Sequence, residues 1–397
     1  MPRRPTIDPK ILAALEAQTS RRRFLGMTGV GLGALALGPT LLAACGSSSK
    51  SSSTPQTQDS GGTGGGSITV LTWPFYIEND EPAASPTLTG FTKETGTSVD
   101  WLADIDGNES FFTKYGDSLT KGQDIGADIM VLTSWAAAQA IEQGWAQPFD
   151  TTAFPNKTNV VDYLANPSWD PNRAQSIPWA IGQTGYAYWP DKVGGEITDV
   201  NAIFDPKYKG KVTVLDEMRD TVGFALLSMG VDPTTATMAE MTAAVDKVAA
   251  ARDAGQFRKI VGNSYTEDLD LGDTWIAVAW SGDAYSLMQS NESLAWVIPE
   301  QGGMLWADNA LVPVGASNPT GAASLLNYVY QPQVAGPLYE TIAYIPPVKG
   351  ATDHMDPSAA LKPFVEPPST PPLYEFPVLS AADTEELSRA FVEATQQ

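Results

Sequence analysis

From residue 67 onward, short β-branched and aromatic runs alternate with stretches of helical period, and this alternation restricts the fold more than any other feature of the chain. Ser67-Ile68-Thr69-Val70-Leu71-Thr72-Trp73 reads as a strand, and the spacing over 88–94 predicts a helix stopped by Gly96. Ser98-Val99-Asp100-Trp101-Leu102-Ala103 reads as a second strand. A helix through Phe111, Phe112, Tyr115 and Leu119 leads to a buried strand over 127–132, and another helix over 136–143 ends at Gly144. Strands and helices alternating in this way predict an α/β fold with mainly parallel sheets. No internal repeat is visible, and a globular part of roughly 330 residues fits two lobes at ~100–200 residues per domain. Three segments read as crossings between lobes: 176–188, 306–313 and Tyr344-Ile345-Pro346-Pro347.

The first 44 residues read as an export signal. Ser20-Arg21-Arg22-Arg23-Phe24-Leu25 supplies the paired arginines, Arg21 and Arg22, that the twin-arginine (Tat) pathway reads. Residues 26–44 carry no charge and form a moderately apolar stretch, ending Leu42-Ala43-Ala44-Cys45-Gly46. Small residues before a cysteine suit a lipoprotein peptidase, so Cys45 is the expected lipidation site. A signal-anchor helix is the competing reading, since about 18 apolar residues can span a bilayer; the small residues before Cys45 argue against it. Residues 45–66 are rich in Ser and Gly and predict a flexible tether with an r.m.s. reach of roughly 25 Å.

Composition narrows the chemistry. The leader carries six basic and two acidic residues, so its removal takes the formal charge from −22 to −26. That balance argues against nucleic acid and anionic lipid as partners and is compatible with a cationic ligand. Cys45 is the only cysteine and His354 the only histidine. No intrachain disulfide is possible, and most metal and general-base chemistry is removed with it. No Gly-x-Ser-x-Gly elbow accompanies the one histidine. No cofactor is expected, and the chain does not read as an enzyme.

Five motifs occur in order along the mature chain. They are Trp73-Pro74-Phe75-Tyr76, Phe91-Thr92-Lys93-Glu94-Thr95-Gly96, Asp205-Pro206-Lys207-Tyr208-Lys209-Gly210-Lys211, Trp280-Ser281-Gly282-Asp283, and residues 299–308 with Gly302, Gly303, Trp306 and Asp308. Together they resemble the polyamine-binding proteins of ABC importers, the spermidine/putrescine type, over residues 67–397. The last motif is the most specific, a Pro-x-x-Gly-Gly-x-x-Trp-x-Asp. The resemblance implies a periplasmic-binding-protein-like type II fold, two α/β lobes joined by hinge crossovers. It places lobe 1 at 67–183 and 307–346, and lobe 2 at 184–306 and 347–397. It further implies a monomer that captures a polyamine and delivers it to permease subunits with a separate cytoplasmic ATPase, touching the membrane through its lipid anchor alone.

The chemistry of a polyamine agrees with the residue types. Its methylene chain needs aromatic walls and its ammonium ends need carboxylates. Trp73, Tyr76, Trp280 and Trp306 would give walls and cation–π contacts, and Glu217, Asp220 and Asp308 the charges. Glu217 and Asp220 are three apart, which on a first helical turn predicts one shared face. By the resemblance, Thr133, Ser134 and Trp135 stand where the family has Ser-Thr-Tyr, and Tyr344 belongs to the third crossing. Two departures point to a diamine over a triamine: Phe75 replaces a position that is often acidic, and Glu375-Phe376-Pro377 replaces a Glu-Trp-Gln. The rival readings are a binding protein for another cation, amino acid, sugar or metal, a surface sensor or adhesin, and a hydrolase using Glu217 and Asp220. Carboxylates at i and i+3 make poor opposite-face partners for hydrolysis.

Overall fold

The structure, a computed structural model, describes residues 66–395 apart from Asp106, Asn263, Pro367 and Pro368. Arg21, Arg22, Cys45 and nearly all of the tether over 45–66 lie outside the described residues. Strands β1 (Ser67–Leu71), β2 (Ser98–Leu102), β3 (Ile129–Thr133), β4 (Ala146–Gln147) and β5 (Ser176–Tyr188) are followed by β6 (Val212–Leu215) and β7 (Phe257–Val261). β8 (Ile276–Trp280), β9 (Ala295–Val297), β10 (Gly303–Pro313) and β11 (Leu373–Glu375) complete the set. The α-helices longer than four residues are α1 (Pro86–Thr95), α2 (Asn108–Thr120), α3 (Ser134–Glu142), α4 (Met218–Ser228) and α5 (Met238–Asp253), then α6 (Tyr265–Asp270) and α7 (Ser281–Ser290). The last three are α8 (Pro319–Val329), α9 (Pro332–Ile342) and α10 (Ala381–Thr395).

The strands follow one hydrogen-bonded path, β2-β1-β3-β10-β5-β8-β6-β7. Its two arms are parallel, β2 with β1 and β3 on one side and β8 with β6 and β7 on the other. The middle differs from the mainly parallel expectation: β10 runs antiparallel to both β3 and β5, and β5 antiparallel to β8. A chain that crosses between two halves and returns must bring its crossing strands together in opposite directions. β5 is buried along its whole length; it pairs with β10 from Ser176 to Thr184 and with β8 from Thr184 to Tyr188. A third crossing is tied to it by the Ile345 N–H, which donates to the Ile181 carbonyl at 3.0 Å.

The core divides about these crossings. Two clusters, one around Val70, Phe91, Ile129, Trp179, Leu326 and Leu338, the other around Leu71, Phe111, Leu132 and Trp145, hold the first half. A third, around Tyr186, Val214, Phe224, Val245, Val278 and Phe391, holds the second. The architecture is the type II periplasmic-binding-protein fold, two α/β lobes on crossing strands.

Helices begin at the ends of strands, and this sets where side chains converge. α3 starts directly after β3 and α7 directly after β8, while α4 starts two residues beyond β6. α1 shows the local logic: the Ser85 hydroxyl accepts the Leu88 N–H at its start, and Gly96, at φ 75°, ends it in the left-handed region open to glycine. Trp73 and the turn after it extend from the end of β1. The carboxyl ends of β1, β3, β6 and β8 therefore ring one opening, the usual place for a ligand in an open α/β sheet.

Candidate ligand-binding cleft

Tyr76 and Asp308 meet at one side of this opening. Phe75 takes a left-handed φ of 66° and turns outward, 42% exposed, which buries the next side chain, Tyr76. The Tyr76 hydroxyl donates to Asp308 Oδ2 in a short hydrogen bond. Asp308 is only 4% exposed, and among the described residues no donor reaches its Oδ1 at hydrogen-bonding geometry. Tyr344 packs edge-on against Tyr76 at 5.5 Å between centroids and against Trp306 at 5.8 Å. The Trp306 indole N–H donates to the Thr184 hydroxyl at 3.1 Å. Gly182 lies directly under that ring: a Cβ there would stand 2.1 Å from Trp306 Cζ2.

Across the opening, the Trp280 indole N–H donates to Asp220 Oδ2 at 2.8 Å. Buried Tyr265 links the same region: its hydroxyl donates to Asp283 Oδ2 at 2.9 Å and accepts the Trp280 backbone N–H at 3.1 Å. Glu217 caps α4, accepting the Arg219 N–H at 3.3 Å, and pairs with Arg219 Nη1 at 3.3 Å.

Burial makes these carboxyls reluctant to ionise. Asp220 is pushed up to about 7, chiefly by loss of water and further by Glu217, against the pull of Trp280, Thr184 and Arg219. Asp308 is pushed up to about 6 by burial, with Glu217 adding to it and the hydroxyls of Tyr76 and Thr133 opposing it. The Tyr76 and Tyr344 phenols are raised by burial and feel both Asp308 and Asp283. Among the described residues, neither Asp220 nor Asp308 takes part in an ion pair.

The structure thus gathers Tyr76, Trp306, Asp308 and Tyr344 on one wall and Asp220 and Trp280 on the other. Glu217 is the N-cap of α4, just outside the helix that begins at Met218; it is half-buried, pairs with Arg219 and lies close enough to Asp220 to raise it. Trp73 is partly buried and spends its indole N–H on the Val131 carbonyl at 3.1 Å. The Thr133 hydroxyl accepts from Asn108 at 2.9 Å. The Ser134 hydroxyl donates to the Ala307 carbonyl at 3.1 Å and accepts from Asn309 at 3.3 Å. Trp135 is 7% exposed and lies beneath the Arg219 guanidinium.

Sequence reasoning missed Asp283, Tyr265, Thr184 and Arg219. Asp283 had a signal, an acidic residue in the first helical turn after a strand-ending tryptophan. Tyr265 had none, since one tyrosine in a polar stretch marks nothing. Among the described residues, no group of His, Cys, Asp or Glu is arranged to hold a metal ion.

Comparison with known proteins bears on this geometry. Residues 88–363 match the family model described as bacterial extracellular solute-binding protein. The chain belongs to that family. This solute-binding protein is 28% identical over 278 residues to the spermidine/putrescine-binding periplasmic protein of Escherichia coli (strain K12), covering 68% of this chain and 76% of that one. It is 27% identical over 345 residues to the putrescine-binding periplasmic protein SpuD of Pseudomonas aeruginosa (strain UCBPP-PA14), covering 81% and 90%. Among solved structures, the Tp0655 (TpPotD) lipoprotein of Treponema pallidum superposes with a TM-score of 0.70 at 18% identity, over 83% of this chain and 99% of that one. That last likeness shows the fold, the type II architecture with crossing strands. The family is one of transport proteins that bind without catalysis, and this member works outside the cytoplasm.

Proposed function

We propose that this solute-binding protein captures a polyamine and hands it to the permease of an ABC importer whose ATPase is a separate cytoplasmic subunit. The observation that carries the reading is Asp308, a buried carboxylate with no ion-pair partner among the described residues, whose Oδ1 has the Thr133 hydroxyl nearby but no donor at hydrogen-bonding geometry, walled by Tyr76, Trp306 and Tyr344. A buried acceptor of this kind is costly unless something supplies a donor, and an ammonium among aromatic rings does so while gaining cation–π attraction. The second ammonium would reach Asp220 beside Trp280, with the methylene chain between the walls. The names of the relatives in E. coli and P. aeruginosa support this ligand class.

Within the class, putrescine fits better than spermidine. Phe75 turns outward where an acidic residue would serve an amine, and Phe376-Pro377 offers no side-chain amide. Asp283, facing Tyr76 and Tyr344, returns negative charge to that wall. Trp73, Thr133, Ser134 and Trp135 would form the surrounding rim, with Glu217 at the edge of the opposite wall, holding Arg219. We assign the lobes to 67–183 with 307–346 and to 184–306 with 347–397. Ligand would draw them together by hinge motion at the crossings. The protein would act as a monomer, exported by the Tat route through Arg21-Arg22 and held to the membrane by a lipid on Cys45.

Calorimetry against putrescine, spermidine and a panel of amino acids and sugars tests the ligand, with mass spectrometry of whatever copurifies natively. Heat with putrescine, weaker heat with spermidine and none with sugars is expected. No heat with any polyamine overturns the reading.

A further inference from the structure

Two helix starts face each other across the cleft, that of α3 from one lobe and that of α4 from the other. The Arg219 guanidinium carbon lies 4.0 Å from the Trp135 ring centroid. Both partners are largely removed from water, with the Arg219 side chain 12% exposed and Trp135 7%. Trp135 is anchored in its own lobe by Phe112, edge-on at 5.9 Å, which in turn packs on Trp145 at 5.4 Å. Arg219 is steered from its own lobe by Glu217, whose carboxylate meets Nη1 at 3.3 Å.

A fixed cation at the edge of a site for cations is unfavourable on charge alone, because like charges repel across a few ångströms. The stack explains the placement. Guanidinium over indole is a strong cation–π pair, and it strengthens when water is excluded. We infer that Arg219 is a positioning residue that clamps the lobes shut by stacking on Trp135. In this scheme Glu217 guides the arginine and leaves the ligand's ammonium groups to Asp220, Asp283 and Asp308. The inference rests on the polyamine reading for its binding arm, while its conformational arm needs no ligand.

The test compares wild type with Arg219→Ala, Arg219→Lys, Glu217→Gln and Arg219→Ala/Glu217→Gln. Dye pairs across the lobes report the distance distribution without ligand, and calorimetry reports putrescine affinity. Arg219→Ala is expected to widen the unliganded distribution and to weaken putrescine at least tenfold, although it removes a repelling charge. Arg219→Lys keeps the charge but loses the planar stack, and recovers less than half of the lost binding free energy. Glu217→Gln weakens binding alone but adds nothing in the Arg219→Ala background. Unchanged or tighter binding in Arg219→Ala overturns the clamp, as does an unchanged distance distribution. Additive losses in the double variant overturn the guiding role of Glu217. If wild type binds no polyamine, the functional reading fails, and the distance distribution alone decides the clamp.

Discussion

The Trp280 indole N–H donates to the Asp220 carboxylate at 2.8 Å, so the end of one strand fixes the orientation of a carboxyl on the first turn of a helix 60 residues earlier in the chain. Because this acceptor is nearly buried, holding it ionised in the unliganded protein costs free energy that a bound ammonium would offset.

Asp220→Asn should therefore stabilise the unliganded protein while removing binding. The amide oxygen still accepts from Trp280, and the burial of a charge is relieved. A rise from 3.8 to about 7 corresponds to at most about 4 kcal/mol at pH 8, and a gain on the order of 1–3 kcal/mol is expected after relaxation. Thermal melts at pH 8 with and without putrescine check both halves.

Binding should also depend on pH in a definite direction. Putrescine needs ionised carboxylates, and Asp220 and Asp308 hold protons up to about 7 and about 6. Affinity should fall as pH drops from 8 to 5.5, with protons released on binding near pH 6.5. Folding stability of the unliganded protein should move the other way. The folded state binds more protons than the unfolded chain between the ordinary aspartate pKa and about 7, so these two groups lower stability as pH rises through that window. Calorimetry in buffers of different ionisation heat gives the proton count, and melts across pH give the stability slope.

Gly182→Ala should damage the site from behind. The added methyl would meet the Trp306 ring at 2.1 Å, and the ring cannot yield without leaving Thr184 and Tyr344. Overpacking of this kind costs about 1–3 kcal/mol in stability, and putrescine affinity should drop by at least tenfold. Chemical denaturation and titration together separate this outcome from general unfolding, since the variant remains folded.

Asp283→Asn should weaken putrescine by roughly tenfold, the loss of one charge-assisted contact at about 1.5–3 kcal/mol less the part the amide retains. Tyr265→Phe keeps the Asp283 charge but removes both the hydroxyl that donates to it and the acceptor of the Trp280 N–H, and should cost less in affinity. Equal affinity in Asp283→Asn and wild type would remove this residue from the site.

Much of the fold was legible because its causes are local. β-branched runs of strand length alternate with helical periods, and Gly96 and Gly144 end helices where the spacing puts them. The run over 176–188 was readable as a strand, with Pro178, Gly182 and Gly185 among apolar residues, and it pairs first with β10 and then with β8. The antiparallel pairing in the centre was not, because it depends on two segments more than 100 residues apart finding each other. In the site, Asp308 and Trp306 stood out by their motif. The unequal fates of Glu217 and Asp220 did not: the start of α4 at Met218 makes one a half-buried cap and the other a buried residue of the first turn. Asp283 escaped because its neighbours Tyr76 and Tyr344 arrive from both ends of the chain.

Strand β5 bonds to β10 over its first part and to β8 over its last, changing partners at Thr184. Separation of the lobes would then have no ladder to break here and would be taken up as torsion along a continuous ribbon. Such an element would resist progressively and restore its resting angle once the load is gone, so each cycle of release would return the walls in the same register. Backbone amides within 176–188 should accordingly exchange slowly whether or not ligand is present, and the motion would be read from the angle between lobes.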